Sequence, residues 1–439
     1  MSKRVLVVGM ARSGVAAATL AVRQGHRVVC TDRRADAPVV PGTAAVYGQH
    51  RLGDFVGADV VVVSPGVPAA MPELVAAQAA GVEVVGELAW AAGQLKCPIL
   101  AVSGTNGKST TTHLLAQLCG NAGLLTFEGG NIGRPLSEAV GGDWEIAVVE
   151  VSSYQMELPG RFRPRAAAIL NLTPDHLERH RTMENYGAHK CRMFAHMGPD
   201  DAAIVPAADA RLRRLAADLP GQRFLLGGHP GVTIEGDQLV LRGVHDPGPV
   251  PLSGFSLPGR HNVDNVAAAV LLAVCGGLWR HQLDLGRLGG LPHRMEPVHQ
   301  SAGVTWIDDS KATNVDSALA CYEGFTTPFV ALLGGKGKAG AHYDALVEPL
   351  RRARHVLCFG EEGPAIHAAL MRGDVPAELV GTLRAAVPRA AAVARPGDAV
   401  LLSPACASFD EFADFEDRGR KFREWVRALV TVPSSPPCP

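Results

Sequence analysis

Between residues 102 and 110 the chain reads Val102-Ser103-Gly104-Thr105-Asn106-Gly107-Lys108-Ser109-Thr110. Two glycines let successive backbone amides converge, Lys108 adds an ammonium beside terminal phosphates, and the Ser109 hydroxyl suits magnesium, so the segment reads as a nucleotide phosphate loop. The match to GxxxxGK[ST] is partial, because Val102 takes the place of the first glycine and Gly104 comes later. An ordinary strand-to-helix turn is the plain alternative. Glu150 closes the apolar run 146–149, at the strand end where open α/β sheets gather ligands, and a carboxylate there can hold a phosphate-bridging magnesium. Asp175-His176 follows the next apolar run, and Lys190 comes fourteen residues after His176. Alone, the histidine reads equally as a satisfied polar residue and Lys190 as a solvated helix lysine.

Two further groups of polar residues fall at expected strand ends. Gly9-Met10-Ala11-Arg12-Ser13-Gly14 with Asp32 resembles a dinucleotide fingerprint, but Ala11 replaces the glycine that lets backbone approach a pyrophosphate. Asp32 is then a candidate for hydrogen bonds with another nucleotide's base or ribose, with Ser64-Pro65-Gly66 as a second polar loop on that edge. Toward the C-terminus come Asp308-Asp309-Ser310-Lys311-Ala312-Thr313-Asn314, Gly334-Gly335-Lys336-Gly337-Lys338 and Ser403-Pro404-Ala405-Cys406-Ala407-Ser408-Phe409. Lysines and hydroxyls on adjoining loops suit a substrate carrying carboxylates. Only eight of the 42 basic residues are lysines, so a retained lysine marks a place that needs a point charge or a titratable amine.

These residues need strands and helices to hold them. The pattern of strand, turn and helix recurs along all 439 residues, which predicts an α/β protein of three domains, each an open layer of mostly parallel strands. The expected boundaries are 1–93 for a Rossmann-like domain, 94–291 for a central P-loop ATPase-type domain with a small β excursion in 201–257, and 292–439 for a second Rossmann-like domain. A helix is expected over 109–120, another over 186–196 and a third over 263–274. A formal charge of −1 without a lysine or arginine block excludes the footprint of a nucleic-acid coat, and no apolar stretch reaches the ~20 residues of a membrane helix. Nine scattered cysteines without a CxxC pair read as reduced thiols, which with the absence of a leader pattern predicts a cytoplasmic protein.

Taken in order, Gly104-Thr105-Asn106-Gly107-Lys108-Ser109-Thr110, Glu150-Val151-Ser152-Ser153-Tyr154-Gln155, Asp308-Asp309-Ser310-Lys311-Ala312-Thr313-Asn314 and Ser403-Pro404-Ala405-Cys406-Ala407-Ser408-Phe409-Asp410 resemble the Mur ligases across nearly the whole chain. The short phosphate loop is shared with folylpolyglutamate synthases, and the first and last domains narrow the match. The resemblance implies a uridine-nucleotide domain, an ATP domain and an amino-acid domain. It implies an ATP-dependent ligase that joins D-glutamate to UDP-N-acetylmuramoyl-L-alanine through an acyl phosphate and a tetrahedral intermediate, acting as a monomer.

By the same resemblance Gly104, Thr105, Asn106, Gly107, Lys108, Ser109, Thr110, Asn262, Asn265, Arg294 and Asp309 contact ATP, and Ser13, Asp32, Ser64, Pro65, Gly66, Asn131 and His176 the UDP substrate. Lys311, Thr313, Lys338, Ser408, Phe409 and Phe415 match the glutamate site, Phe409 standing where relatives often carry leucine. Lys108, Glu150, His176 and Lys190 are the implied catalytic set. Ser109 and Glu150 would hold one of two magnesium ions and His176 the other, with Lys190 as the lysine that carries carbon dioxide as a carbamate. Lys336 and Asp308 replace residues common at those places, an aspartate and an asparagine, and Glu178 stands where aspartate is usual. Another Mur ligase, a folylpolyglutamate synthase, a non-catalytic nucleotide-sugar binder and a nicotinamide dehydrogenase are the competing readings.

Overall fold

The structure is a computed structural model and describes residues 2–257, 259–325, 327–337 and 342–429. Valine-rich runs with no polar face form its interior strands, as expected where helices cover both sides of a parallel sheet. In the first sheet these are β1 (Arg4–Val8), β2 (Arg27–Asp32), β3 (Ala44–Tyr47), β4 (Val60–Val63) and β5 (Glu83–Gly86), all parallel in the order β3-β2-β1-β4-β5. Helices α1 (Arg12–Arg23), α2 (Leu52–Val56), α3 (Pro72–Ala79) and α4 (Glu87–Ala92) lie between and after them. The chain order reverses between β1 and β4, so the loops after these two strands share the switch point where such sheets bind ligands.

The second sheet contains β6 (Ile99–Ser103), β7 (Thr126–Gly130), β8 (Ile146–Glu150), β9 (Ala166–Ile169), β10 (Ala202–Pro206), β11 (Gln222–Leu226), β12 (Gly231–Glu235), β13 (Gln238–Arg242) and β14 (Gly248–Pro251). Their order is β14-β13-β12-β11-β10-β9-β6-β8-β7. The β excursion expected in 201–257 is therefore no separate layer. β10 and β11 continue the parallel sheet, and β12 to β14 form an antiparallel ribbon on its edge. Central β6 has β8 on one side and β9 on the other, which puts the loops after all three strands side by side. Helix α5 (Lys108–Asn121) leaves β6. Short α6 (Leu177–His180), then α7 (Met183–Cys191) and α8 (Ala210–Ala216), follow β9 and β10, and α9 (Arg260–Cys275) packs along α5. The helix expected over 186–196 begins three residues earlier, because the Thr182 side chain caps the Asn185 amide, and gives way to a 3₁₀ turn after Cys191.

The first two sheets belong to one compact unit, Met1–Gly289. One apolar cluster runs through both, with Ala17, Ala21, Leu88 and Ala91 in the same core as Phe127, Leu136 and Ala139.

The second compact unit begins at Gly290. Its sheet holds β15 (Glu296–Ser301), β16 (Val304–Asp308), β17 (Phe329–Gly334), β18 (His355–Phe359), β19 (Ala377–Gly381) and β20 (Ala399–Leu402) in the order β15-β16-β20-β17-β18-β19. Only β15 runs antiparallel, an edge strand with a register shift between Pro297 and His299 that the sequence pattern did not reveal. Around the sheet lie α10 (Val315–Gly324), α11 (Val347–Leu350), α12 (Gly363–Arg372), α13 (Leu383–Val393) and α14 (Phe415–Leu429). Since β16, β20 and β17 are neighbours, the three polar loops that follow them line one edge. The eight described cysteines are free thiols. No helix among the described residues is long and apolar enough to cross a membrane.

Candidate active site

The loop joining β6 to α5 depends on backbone conformations that only glycine adopts easily. Gly107 caps α5 in the left-handed region at φ 81°, and a Cβ there would stand 2.4 Å from Asn265 Oδ1. Asn265 accepts from the Thr111 hydroxyl at 3.3 Å and donates to Asn262 Oδ1 at 3.3 Å, so α9 braces the first turn of α5. From the other side Asn171, just past β9, accepts from the Thr105 and Asn106 amides at 3.1 and 2.8 Å and donates to the Asn106 carbonyl at 3.0 Å. Thr105 and Thr173 exchange two more bonds, at 3.1 and 3.0 Å. Sequence reasoning missed Asn171, which lies 65 residues from the loop it shapes.

The Lys108 ammonium donates to the Gly104 and Thr105 carbonyls at 3.0 and 2.6 Å. Lys190, only 1% exposed, donates to that same Gly104 carbonyl at 2.8 Å, and its Nζ lies 4.5 Å from the centre of the Tyr186 ring. Burial, reinforced by the nearby Lys108 charge, lowers the Lys190 pKa from 10.5 to about 7. A buried amine neutral for much of its time near physiological pH is nucleophilic, which a solvated helix lysine is not.

Glu150, also buried, accepts from Ser109 Oγ at 2.7 Å and from Asn131 Nδ2 at 2.8 Å. These hard oxygens at the foot of the loop between β6 and α5 fit magnesium; the nitrogen of His176 is a donor magnesium takes less readily. His176 caps α6 with φ 54°, its Nδ1 bonded to the Tyr154 hydroxyl at 3.0 Å and its Nε2 3.3 Å from Asp175 Oδ2. Tyr154, Tyr186, His180 and His189 form a chain of tilted ring contacts with it, centroids 4.9 to 5.5 Å apart. Burial, helped by the neighbouring His189, pushes His180 down to about 4, so its imidazole is neutral beside Ser153 Oγ at 2.9 Å. Of these ring partners only Tyr154 fell in a motif of the sequence; His180 and His189 are isolated histidines there.

Near the first sheet's switch point, the Ser64 hydroxyl donates to the Gly9 carbonyl at 2.6 Å, and Asp32 accepts from the Met10 amide at 2.6 Å and the Arg34 amide at 2.8 Å. Burial pushes the Asp32 carboxyl up, but the Arg34 guanidinium and these amides outweigh it and hold the group below its ordinary value. Ser13 is half-buried in the first turn of α1, Pro65 is half-buried and Gly66 exposed.

In the second unit, Lys311 Nζ lies 4.6 Å from the centre of the Phe415 ring, and Ser408 is buried while Phe409 is 67% exposed. Thr313 follows in the same loop, its amide bonded to the Lys311 carbonyl at 2.8 Å. The sequence did not single out Arg418, which is wholly buried and ties the loops together. It donates to Ser310 Oγ at 2.9 Å, the Ser310 carbonyl at 2.8 Å and the Cys406 carbonyl at 3.0 Å. Asp309 accepts from Ser403 Oγ at 2.7 Å; burial raises its carboxyl to about 6, partly offset by that bond and by the Arg294 charge. Lys338 lies outside the described residues.

Known proteins show the same arrangement of domains. Residues 3–86 match the MurD-like N-terminal domain of Mur ligases, 102–273 the Mur ligase middle domain and 293–406 the Mur ligase glutamate ligase domain. The chain belongs to the Mur ligase family, ATP-dependent enzymes that form amide bonds. It is 45% identical to the UDP-N-acetylmuramoylalanine--D-glutamate ligase of Anaeromyxobacter dehalogenans, over 96% of each chain. It is 43% identical to the protein of the same name from Myxococcus xanthus, over 97% of this chain and 98% of that one. Among solved structures, the fold resembles UDP-N-acetylmuramate-alanine ligase of Thermotoga maritima, with TM-score 0.60, 18% identity and coverage of 97% of this chain and 100% of that one. It also resembles the MurF ligase of Thermotoga maritima in complex with ADP, with TM-score 0.58, 16% identity and coverage of 97% and 95%.

Proposed function

We propose that the chain joins D-glutamate to UDP-N-acetylmuramoyl-L-alanine, with ATP converted to ADP and phosphate, in peptidoglycan synthesis. The observation that carries this reading is the meeting at Gly104 of two lysines, Lys108 and the buried Lys190 with its lowered pKa, on a phosphate loop whose Ser109 is bonded to Glu150. A free carboxylate and an amine do not condense in water, so the acid needs a leaving group. In the proposed sequence an acceptor carboxylate oxygen attacks the γ-phosphorus and ADP departs. The glutamate amine then adds to the acyl carbon, loses a proton, and expels phosphate from the tetrahedral intermediate.

Gly104 to Thr110, Asn262, Asn265, Arg294 and Asp309 are assigned to ATP. Lys108 offsets charge on the transferring phosphoryl group. Ser13, Asp32, Ser64, Pro65, Gly66, Asn131 and His176 are assigned to the UDP substrate, and Lys311, Thr313, Lys338, Ser408, Phe409 and Phe415 to glutamate. Ser109 and Glu150 would hold one magnesium ion and His176 a second, and magnesium supplies charge neutralisation to the phosphates when bound. Neutral Lys190 would take up carbon dioxide, forming an N–C bond and releasing a proton, and the carbamate oxygens would join that set. The functional domains would span 1–93, 94–291 and 292–439 of a cytoplasmic monomer.

The test is phosphate release with ATP, magnesium and UDP-N-acetylmuramoyl-L-alanine, offering D-glutamate, L-glutamate, glycine or diaminopimelate in turn. Stimulation by D-glutamate alone is expected. Stimulation by diaminopimelate, or release without the acceptor, would overturn the assignment.

A further inference from the structure

One ion pair in the first compact unit joins the loop after β4 to the segment carrying His176. Glu157, in the 3₁₀ turn Gln155–Glu157 that follows β8, accepts from Arg179 Nε and a terminal nitrogen, both at 2.8 Å. Its second oxygen also accepts from the Ala69 amide at 3.3 Å, while Arg179 donates to the Val67 carbonyl at 3.2 Å. The two side chains are only 11% and 21% exposed. The guanidinium carbon sits 5.1 Å from the centre of the Tyr154 ring, and the Tyr154 hydroxyl is the partner of His176 Nδ1 at 3.0 Å. A continuous set of contacts thus runs from Val67 and Ala69, through Glu157 and Arg179, to Tyr154 and His176.

An exposed pair of this kind would contribute little. This one is bidentate and mostly out of solvent, and each partner makes one further bond to backbone, Arg179 to the Val67 carbonyl and Glu157 from the Ala69 amide, which fixes geometry as well as charge. We propose that Arg179 and Glu157 are positioning residues that set the spacing between the loop 64–69 and His176, and through it the placement of the acceptor's carboxylate relative to its nucleotide end. The inference rests on the ligase reading for the identity of that substrate. A ligand held at one loop and reacting at another is sensitive to that spacing, since a misplacement of about 1 Å can cost roughly 100-fold in rate.

The experiment compares Arg179→Met, Glu157→Gln, their double variant and Arg179→Lys in the full chain, with two readouts. In ligand-free protein, amide exchange at Ala69 should speed up in each variant. In turnover, the methionine and glutamine variants should raise KM for the UDP substrate about tenfold and lower kcat, with KM for ATP within about twofold of the parent. The double variant should lose no more than the worse single one, and Arg179→Lys, which keeps the charge but not the fork, should fall between. Unchanged Ala69 exchange, or equal shifts in both KM values, would overturn the proposal. If the parent protein releases no phosphate, the ligase reading fails on its own, and Ala69 exchange alone decides whether the pair fixes the loop.

Discussion

Lys190 shows what a single residue's surroundings can do. On the sequence it is one lysine in a helix; its chemistry depends on Gly104, which lies 86 residues away and draws a second lysine to the same carbonyl. Because the amine titrates near 7, its reactive neutral fraction rises as pH increases through that value. With ¹³C-bicarbonate supplied, a carbamate carbon signal absent from Lys190→Ala should grow between pH 6 and 8. Lys190→Ala should turn over poorly while remaining folded, with partial recovery on adding a small carboxylate; full activity without it would sink the carbamate role. Lys108→Ala should lower kcat by about 100-fold or more, the usual loss when one transition-state charge stabiliser is removed. Asp309 obeys the opposite sign to a paired carboxylate. Its folded pKa is raised from 3.8 to about 6, so the stability it lends is present below the unfolded value and is lost as pH rises through the folded one. Asp309→Asn remains neutral throughout, and its Tm relative to the parent should climb between pH 4 and pH 7, by an amount equivalent to about 1–3 kcal/mol.

At the scale of elements, the glycine loop between β6 and α5, the strand end bearing Glu150 and the three C-terminal loops were legible as places where apolar runs stop and glycine, hydroxyl and charged residues begin, whereas His176 stands beyond β9 as the cap of α6. What holds those loops was not. Asn171 and Arg418 are single polar residues with no local pattern, and their partners become neighbours only through strand order. The edge strand β15 was hidden for a related reason, since half-exposed Glu296–Ser301 alternates weakly and contains a proline. Gly107 is where local and distant demands coincide. Gly107→Ala must accept a positive φ and a Cβ crowding Asn265, which should destabilise the protein by about 1–3 kcal/mol and weaken ATP binding, as read by thermal unfolding and calorimetry. Unaltered ATP affinity would separate the loop's shape from its assigned ligand.

For the whole molecule, three parallel-dominated sheets repeat one device, a cluster of polar loops at carboxyl strand ends, and differ in the chemistry of those loops. The three-sheet plan follows from the recurring strand and helix pattern. The sharing of one apolar core by the first two sheets does not, because α1 and the residues around Leu136 are far apart in the chain. The proposed ligase activates its acid by direct transfer of a phosphoryl group. The direct measurement uses UDP-N-acetylmuramoyl-L-alanine labelled with ¹⁸O in its terminal carboxylate, together with ATP, magnesium and D-glutamate, and weighs the released phosphate. An acyl phosphate leaves one substrate oxygen on phosphorus, so each phosphate should carry a single ¹⁸O; phosphate free of label, formed alongside amide product, would rule out a phosphorylated acid.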